Sequence, residues 1–98
     1  MALKHSEQTD ELFRAVLSLR SVEECYPFFE DLCTVREVLV MAQRLEVAGL
    51  LDTGHSYSQT MEATGASSAT ISRVKVCLDY GAGGYRLVLD RMAGKEEA

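Results

Sequence analysis

Histidine, cysteine and proline are all scarce in this 98-residue chain, and the first two shortages remove whole classes of function. The two histidines, His5 and His55, lie far apart, and the three cysteines, Cys25, Cys33 and Cys77, show no C-x-x-C spacing. That set offers no zinc pattern, and an odd number of scattered thiols is not a disulfide framework. Apolar residues flank each cysteine, so reduced thiols buried as small hydrophobes are expected. There is also no glycine-rich phosphate loop and no nucleophile motif. Glu23 and Glu24 are adjacent, so on a helix they point to different faces and cannot work as a close carboxylate pair. The chain reads as a non-enzyme with no cofactor and no metal.

Long hydrophobic runs are missing too. The longest lies near Val38 to Ala42, far short of the roughly 20 residues a membrane helix needs. Met1 to Thr9 is polar and lacks the apolar region of a secretory signal, so a cytoplasmic protein is expected. No segment alternates apolar and polar residues for long, and no repeat or low-complexity stretch occurs, so strands are not expected. Hydrophobic residues make up 47% and charged residues 26%, an ordinary globular balance. One domain over residues 1–98 is expected, and a core this small is often completed by oligomerisation.

The net charge is −5, which runs against a nucleic-acid partner, because phosphate contacts need a basic footprint. The acid is unevenly spread. From His55 to Leu78 there are Arg73 and Lys75 against only Glu62, while Glu7, Asp10, Glu11, Glu23, Glu24, Glu30, Asp31, Glu96 and Glu97 lie elsewhere.

Helix signals recur along the chain. Ser6 or Thr9 caps a first helix carrying Leu12, Phe13, Val16, Leu17 and Leu19 on one side. Ser21-Val-Glu-Glu24 is a capping box that opens a second helix, in which Pro27 either starts a fresh segment or makes a kink. Thr34-Val-Arg-Glu37 is another box and opens the longest helix, which runs to about Leu51. Its stripe of Val38, Met41, Leu45, Ala48 and Leu51 is broadened by Val35, Leu39, Ala42 and Leu50, so this helix is expected to be central and buried, partly against a second subunit. Gly54 suits its left-handed C-terminal cap. After the Gly81-Ala-Gly-Gly84 break, a short last helix spans roughly Tyr85 to Met92, and residues 93–98 form a frayed tail.

Between these lies Tyr57 to Leu78. Ser56 or Ser58 caps a short helix ending near Ala63, Gly65 supplies the positive φ of a tight turn, and Ser67 or Ser68 caps a second helix. Ile71, Val74 and Leu78 mark that helix's inner face, and Ser68, Ala69, Ser72 and Lys75 its outer one. The pattern fits a helix-turn-helix about 57–78, and a plain helix hairpin with a glycine turn has the same spacing. The run of small residues from Ala66 to Thr70 favours the DNA-binding version, since small side chains let a helix sit deep in the major groove. The candidate DNA contacts are Ser58, Gln59, Ser67, Ser68, Ala69, Thr70, Ser72, Arg73 and Lys75. Tyr57, Tyr80 and Tyr85 read as core lids with wet hydroxyls, and His55 as a solvent-facing loop residue.

Gly65-Ala-Ser-Ser-Ala-Thr-Ile-Ser-Arg73 resembles the recognition-helix motif of the Trp repressor superfamily. Cys25-Tyr-Pro-Phe-Phe-Glu-Asp-Leu-Cys-Thr34 and Gln43-Arg-Leu-Glu46 look like its YerC/YecD branch, and the similarity runs from about Asp10 to Met92. The resemblance implies an all-α fold of about six helices, an intertwined homodimer and double-stranded DNA as partner. It also implies a ligand pocket, with Arg44 and Arg73 at the positions of two arginines that sandwich an indole and Thr34 and Thr70 at two further lining positions. Two positions depart from the pattern. Val74 stands where the family has glycine and Cys77 where it has a serine that meets the ligand's amino group, so tryptophan binding is not expected.

Overall fold

The computed structural model describes residues 2–94, and among these every regular element is a helix. In order they are α1 (Glu7–Leu17), α2 (Val22–Leu32), α3 (Val35–Asp52), α4 (Tyr57–Thr64), α5 (Ser68–Tyr80) and α6 (Gly84–Met92). The fold is all-α, as the helix signals predict. The chain forms two compact units, one through Val38 and one from Leu39 onward. Most of the expected tail, residues 95–98, lies outside the described residues, and Ala93 and Gly94 form a turn after α6.

The caps explain where the helices begin. Ser6 caps α1, and Thr9 is the residue three places on that completes the box: its amide donates to Ser6 Oγ at 3.1 Å and its hydroxyl accepts from the Ser6 amide. Ser21 caps α2 through the Glu24 amide at 3.2 Å. Glu24 does not return the bond to Ser21, however. Its carboxylate accepts from the Arg20 amide at 2.8 Å, one residue further back. Helix α2 continues through Pro27, so the proline does not start a new helix. The box at α3 is complete, with the Thr34 amide donating to Glu37 Oε1 at 2.8 Å and the Glu37 amide donating to Thr34 Oγ1 at 3.1 Å. At the other end of α3, Gly54 takes φ 91°, and His55 Nδ1 lies 3.1 Å from the Leu50 carbonyl oxygen. His55 is thus tied to the helix terminus while its ring remains exposed.

The core belongs to the second unit. Val47, Ala48 and Leu51 of α3, Ala66 of the α4–α5 turn, and Ile71 and Val74 of α5 are buried, with Leu78, Tyr85 and Leu89 packed on them. Full burial of a side chain such as Ile71 or Val47 contributes about 1.5–3 kcal/mol. Arg86 of α6 ties the end of α3 to α6: its guanidinium forks onto the Asp52 carboxylate and also donates to Asp90 at 2.9 Å. Both carboxylates push the Arg86 pKa upward, Asp52 first.

In the single chain only the C-terminal half of α3 is buried; Leu39 is 64% exposed and Met41 45%, surface that the expectation assigned in part to a second subunit. Among the described residues of the first unit none is buried, and Leu17 is 82% exposed. The cysteines are reduced, but Cys25 and Cys33 are half-buried and Cys77 is exposed. For Cys25 and Cys33, an apolar sequence neighbour does not bury a thiol when the helix face it shares has no partner within the chain. Cys77 is left open by the partly open cavity that it lines. Of the tyrosines, Tyr85 lies on the core as predicted, whereas Tyr80 is 86% exposed.

The box at α3 makes a pH prediction. Accepting the Thr34 amide, and then the Thr34 hydroxyl interaction, holds the Glu37 carboxyl below the usual range. A depressed folded-state pKa contributes stability that is complete above the ordinary Glu value and is lost as pH falls through the lowered one. Carboxyl-detected NMR titration should show Glu37 protonating below the usual glutamate range, and Thr34→Ala should move it upward.

Candidate nucleic-acid interface

The interface begins with a turn. Ser56 caps α4 in a full box, with the Gln59 amide donating to Ser56 Oγ at 3.0 Å and the Ser56 amide donating to Gln59 Oε1 at 2.9 Å. Helix α4 ends at Thr64, one residue past the expected end, and Gly65 then takes φ 72°. The left-handed region costs a residue with Cβ but not glycine, so this position asks for glycine. Side chains lock the turn on both sides. The Thr64 hydroxyl donates to the Thr60 carbonyl at 2.7 Å and accepts from the Ala66 amide at 3.1 Å. Gln43 of α3 donates to the Thr64 carbonyl at 3.2 Å, which holds the end of α4 to α3. Thr60 is fully buried, and its hydroxyl is satisfied by the Ser56 carbonyl at 2.8 Å.

Helix α5 starts from Ser67, whose hydroxyl accepts from the Thr70 amide at 3.2 Å. With 3.6 residues per turn, burying Ile71 and Val74 decides where every other α5 side chain points. Ser68, Ala69 and Ser72 share an exposed face of small groups. Val76 and Asp79 continue that face toward the C-terminus. Thr70, Arg73 and Cys77, at three- and four-residue spacing, form a second stripe. They meet Arg44 of α3 and Tyr85 of α6 around a partly open cavity of about 170 Å³, with Val74 as part of its wall.

The predicted site residues therefore separate into groups. Ser68, Ala69 and Ser72 stand together on the outer face of α5. Gln59 and Ser67 are exposed but already committed to capping, and Ser58 is exposed on α4. Arg73 and Thr70 line the cavity with Arg44, which brings together three of the four predicted pocket residues. Thr34 is not among the lining residues, and its hydroxyl caps α3. Lys75 is half-buried and lies 3.3 Å from Asp79, one helical turn on. Asp79 lies one residue beyond the Leu78 end expected for the helix-turn-helix, outside the segment in which the charges are balanced above. Counting to Tyr80, the unit holds two basic and two acidic residues. Tyr85 was also missed as a cavity residue, since its position after the glycine-rich break carries no sequence signal for a pocket.

Comparison with known proteins gives consistent results. The model of the family described as Trp repressor protein matches residues 7–93. The uncharacterized protein YerC of Bacillus subtilis (strain 168) is 52% identical over 90 residues, covering 92% of this chain and 86% of that protein. The crystal structure of a TrpR-like protein from Eubacterium eligens ATCC 27750 superposes with a TM-score of 0.87 at 46% identity, covering 94% of this chain and 95% of the other. A crystal structure from Staphylococcus aureus gives 0.88 at 47% identity, covering 96% and 93%.

The turn generates a stability prediction. A Cβ at Gly65 would meet no atom within 4 Å, so Gly65→Ala is penalised by the backbone alone. The expected loss is about 1–2 kcal/mol, read as a lower denaturation midpoint at unchanged slope. An unchanged midpoint would mean that the left-handed turn is not maintained in solution.

Proposed function

This chain belongs to the Trp repressor protein family, and on that premise we propose that it is a homodimeric, sequence-specific DNA-binding transcriptional regulator that does not respond to tryptophan. One observation carries the reading. An exposed face of small and hydroxylated residues, Ser68, Ala69 and Ser72, begins at the first turn of α5, and α5 follows a left-handed glycine turn locked by Thr64 and Gln43. In this reading α5 enters the major groove. Ser68 and Ser72 bond base edges, Ala69 makes apolar contact with thymine methyls, and the free amides at the α5 N-terminus meet phosphate together with Arg73.

The dimer follows from the apolar surface that the single chain leaves open on α1, α2 and the first half of α3, including Leu17, Leu32, Val35 and Leu39. Monomeric proteins rarely leave so many large apolar side chains in water, and a second copy is the partner that family membership favours. Two copies of α5 about 34 Å apart would read successive major grooves. The lack of a tryptophan response rests on Val74 and Cys77, which both line the cavity: a branched side chain takes up space there, and a thiol is a poor partner for an amino group.

A second reading has its own observation. The Lys75–Asp79 pair neutralises the only lysine of α5 and sets a carboxylate beside the outer face. That arrangement suits a dimeric interaction module that keeps the fold and lacks DNA affinity.

Genome-wide selection of bound fragments, followed by affinity measurement across a salt series, decides between the two. Enriched fragments and affinity that falls with salt support the regulator; no enrichment and no salt slope overturn it. Ala69→Glu should abolish binding at unchanged unfolding temperature. Asp79→Asn should release Lys75 toward phosphate and steepen the salt slope by about one.

A further inference from the structure

The buried stripe of α3 is continued by a polar residue. Val47 and Leu51 lie in the core, and Gln43 stands one turn before Val47 on the same side of the helix. Packing of Val47 therefore aims Gln43 at the end of α4. There its side-chain amide donates to the Thr64 carbonyl at 3.2 Å, in a part-buried contact. That carbonyl is one of the last in a helix, which no amide further along the same helix can satisfy. The Gly65 amide returns to the Met61 carbonyl instead. The Thr64 hydroxyl is occupied by the Thr60 carbonyl and the Ala66 amide. Gln43 thus brings to the end of α4 a donor from outside the α4–α5 unit.

We propose that Gln43 is the positioning residue of the α4–α5 unit: its hydrogen bond fixes the direction in which α5 presents Ser68, Ala69 and Ser72, and so sets discrimination between specific and non-specific DNA. The physical reasons are leverage and solvation. Ala66 is buried in the core, which gives the turn one fixed point. A body held at one point can still swivel, and the Gln43 contact at Thr64, two residues away, supplies a second. Gly65 lies between the two and has the backbone freedom to let the angle change once the second point is lost. Loss of the contact costs little stability, because a part-buried carbonyl at a helix end accepts a water molecule in place of the amide. Water satisfies the oxygen without holding it to α3. A misdirected α5 still meets phosphates, which are bound without regard to sequence, whereas hydrogen bonds to base edges demand alignment. The effect on DNA discrimination rests on the regulator reading; the hold on the turn does not.

The experiment compares the whole chain with Gln43→Met, which keeps the length and removes the donor, and with Gln43→Ala, which has the best helix propensity and keeps the test decisive if the methionine variant unfolds. Three quantities are measured: unfolding temperature, NMR amide exchange at Gly65 and Ala66, and affinity for a selected fragment and for a random-sequence duplex of equal length. The unfolding temperature should fall by no more than about 4 °C. Gly65 and Ala66 should exchange about fivefold faster, while the core amides of Val47 and Leu51 keep their rates. Affinity for the selected fragment should drop about five- to tenfold and affinity for the random duplex should stay the same, so the ratio of the two contracts. A purely structural role would lower both affinities together or neither. A larger fall in unfolding temperature in both variants makes Gln43 a stability residue and overturns the proposal. Unaltered exchange at Gly65 and Ala66 overturns it too, as does an unaltered affinity ratio in a chain that binds DNA. A selection that recovers no fragment overturns the regulator reading and the discrimination role with it, and the exchange rates then decide alone whether Gln43 holds the turn.

Discussion

Burial of Ile71 and Val74 against Val47, Ala48 and Leu51 is the contact on which the rest of this structure depends. A helix has one rotational setting, so sealing one stripe into the core aims all the others. Once Ile71 and Val74 face α3, Ser68, Ala69 and Ser72 must face outward, and Thr70, Arg73 and Cys77 must face the cavity. The left-handed Gly65 and the two hydrogen bonds of the Thr64 hydroxyl set the angle at which α5 leaves α4, so the small outward face is held on a rigid support.

Charge is arranged around this framework in two ways. On the periphery it is paired: Arg86 joins α3 to α6 through Asp52 and Asp90, and Lys75 is met by Asp79. These pairs are partly open to solvent, and isolated surface pairs contribute about 0–1 kcal/mol, so their value lies more in orientation than in stability. In the cavity, Arg44 and Arg73 are left without acids. The net charge of −5 therefore hides a local positive site, because the acids that outnumber the bases sit mainly in α1, α2 and the C-terminal tail.

Apolar surface shows a complementary imbalance. Among the described residues six aliphatic side chains make the buried core, while the aromatic Phe13 and Tyr26 and the aliphatic Leu17 stay exposed. A chain of this composition is not short of hydrophobes; it distributes them on faces that need a partner. That distribution also accounts for the half-buried Cys25 and Cys33, which lie in the unit that has no buried residue among those described.

Most helix starts were legible in the sequence, since a capping serine or threonine acts within four residues and needs no distant contact. The glycine turn and the inner stripe of α5 were legible for the same reason: backbone freedom at Gly65 and a three- and four-residue spacing are local properties. The choice between Ser6 and Thr9, or Ser56 and Ser58, and the passage of α2 through Pro27 needed geometry, because both members of each pair are competent caps. What only the tertiary structure decided are the relations across elements: Tyr85 joining Arg44 and Arg73 at one cavity, Gln43 holding the end of α4, and Arg86 clamping Asp52. Sequence by itself determined the helices and the face that each would seek to bury. Which residues met across those faces followed from packing, a property of positions far apart along the chain that no local pattern encodes.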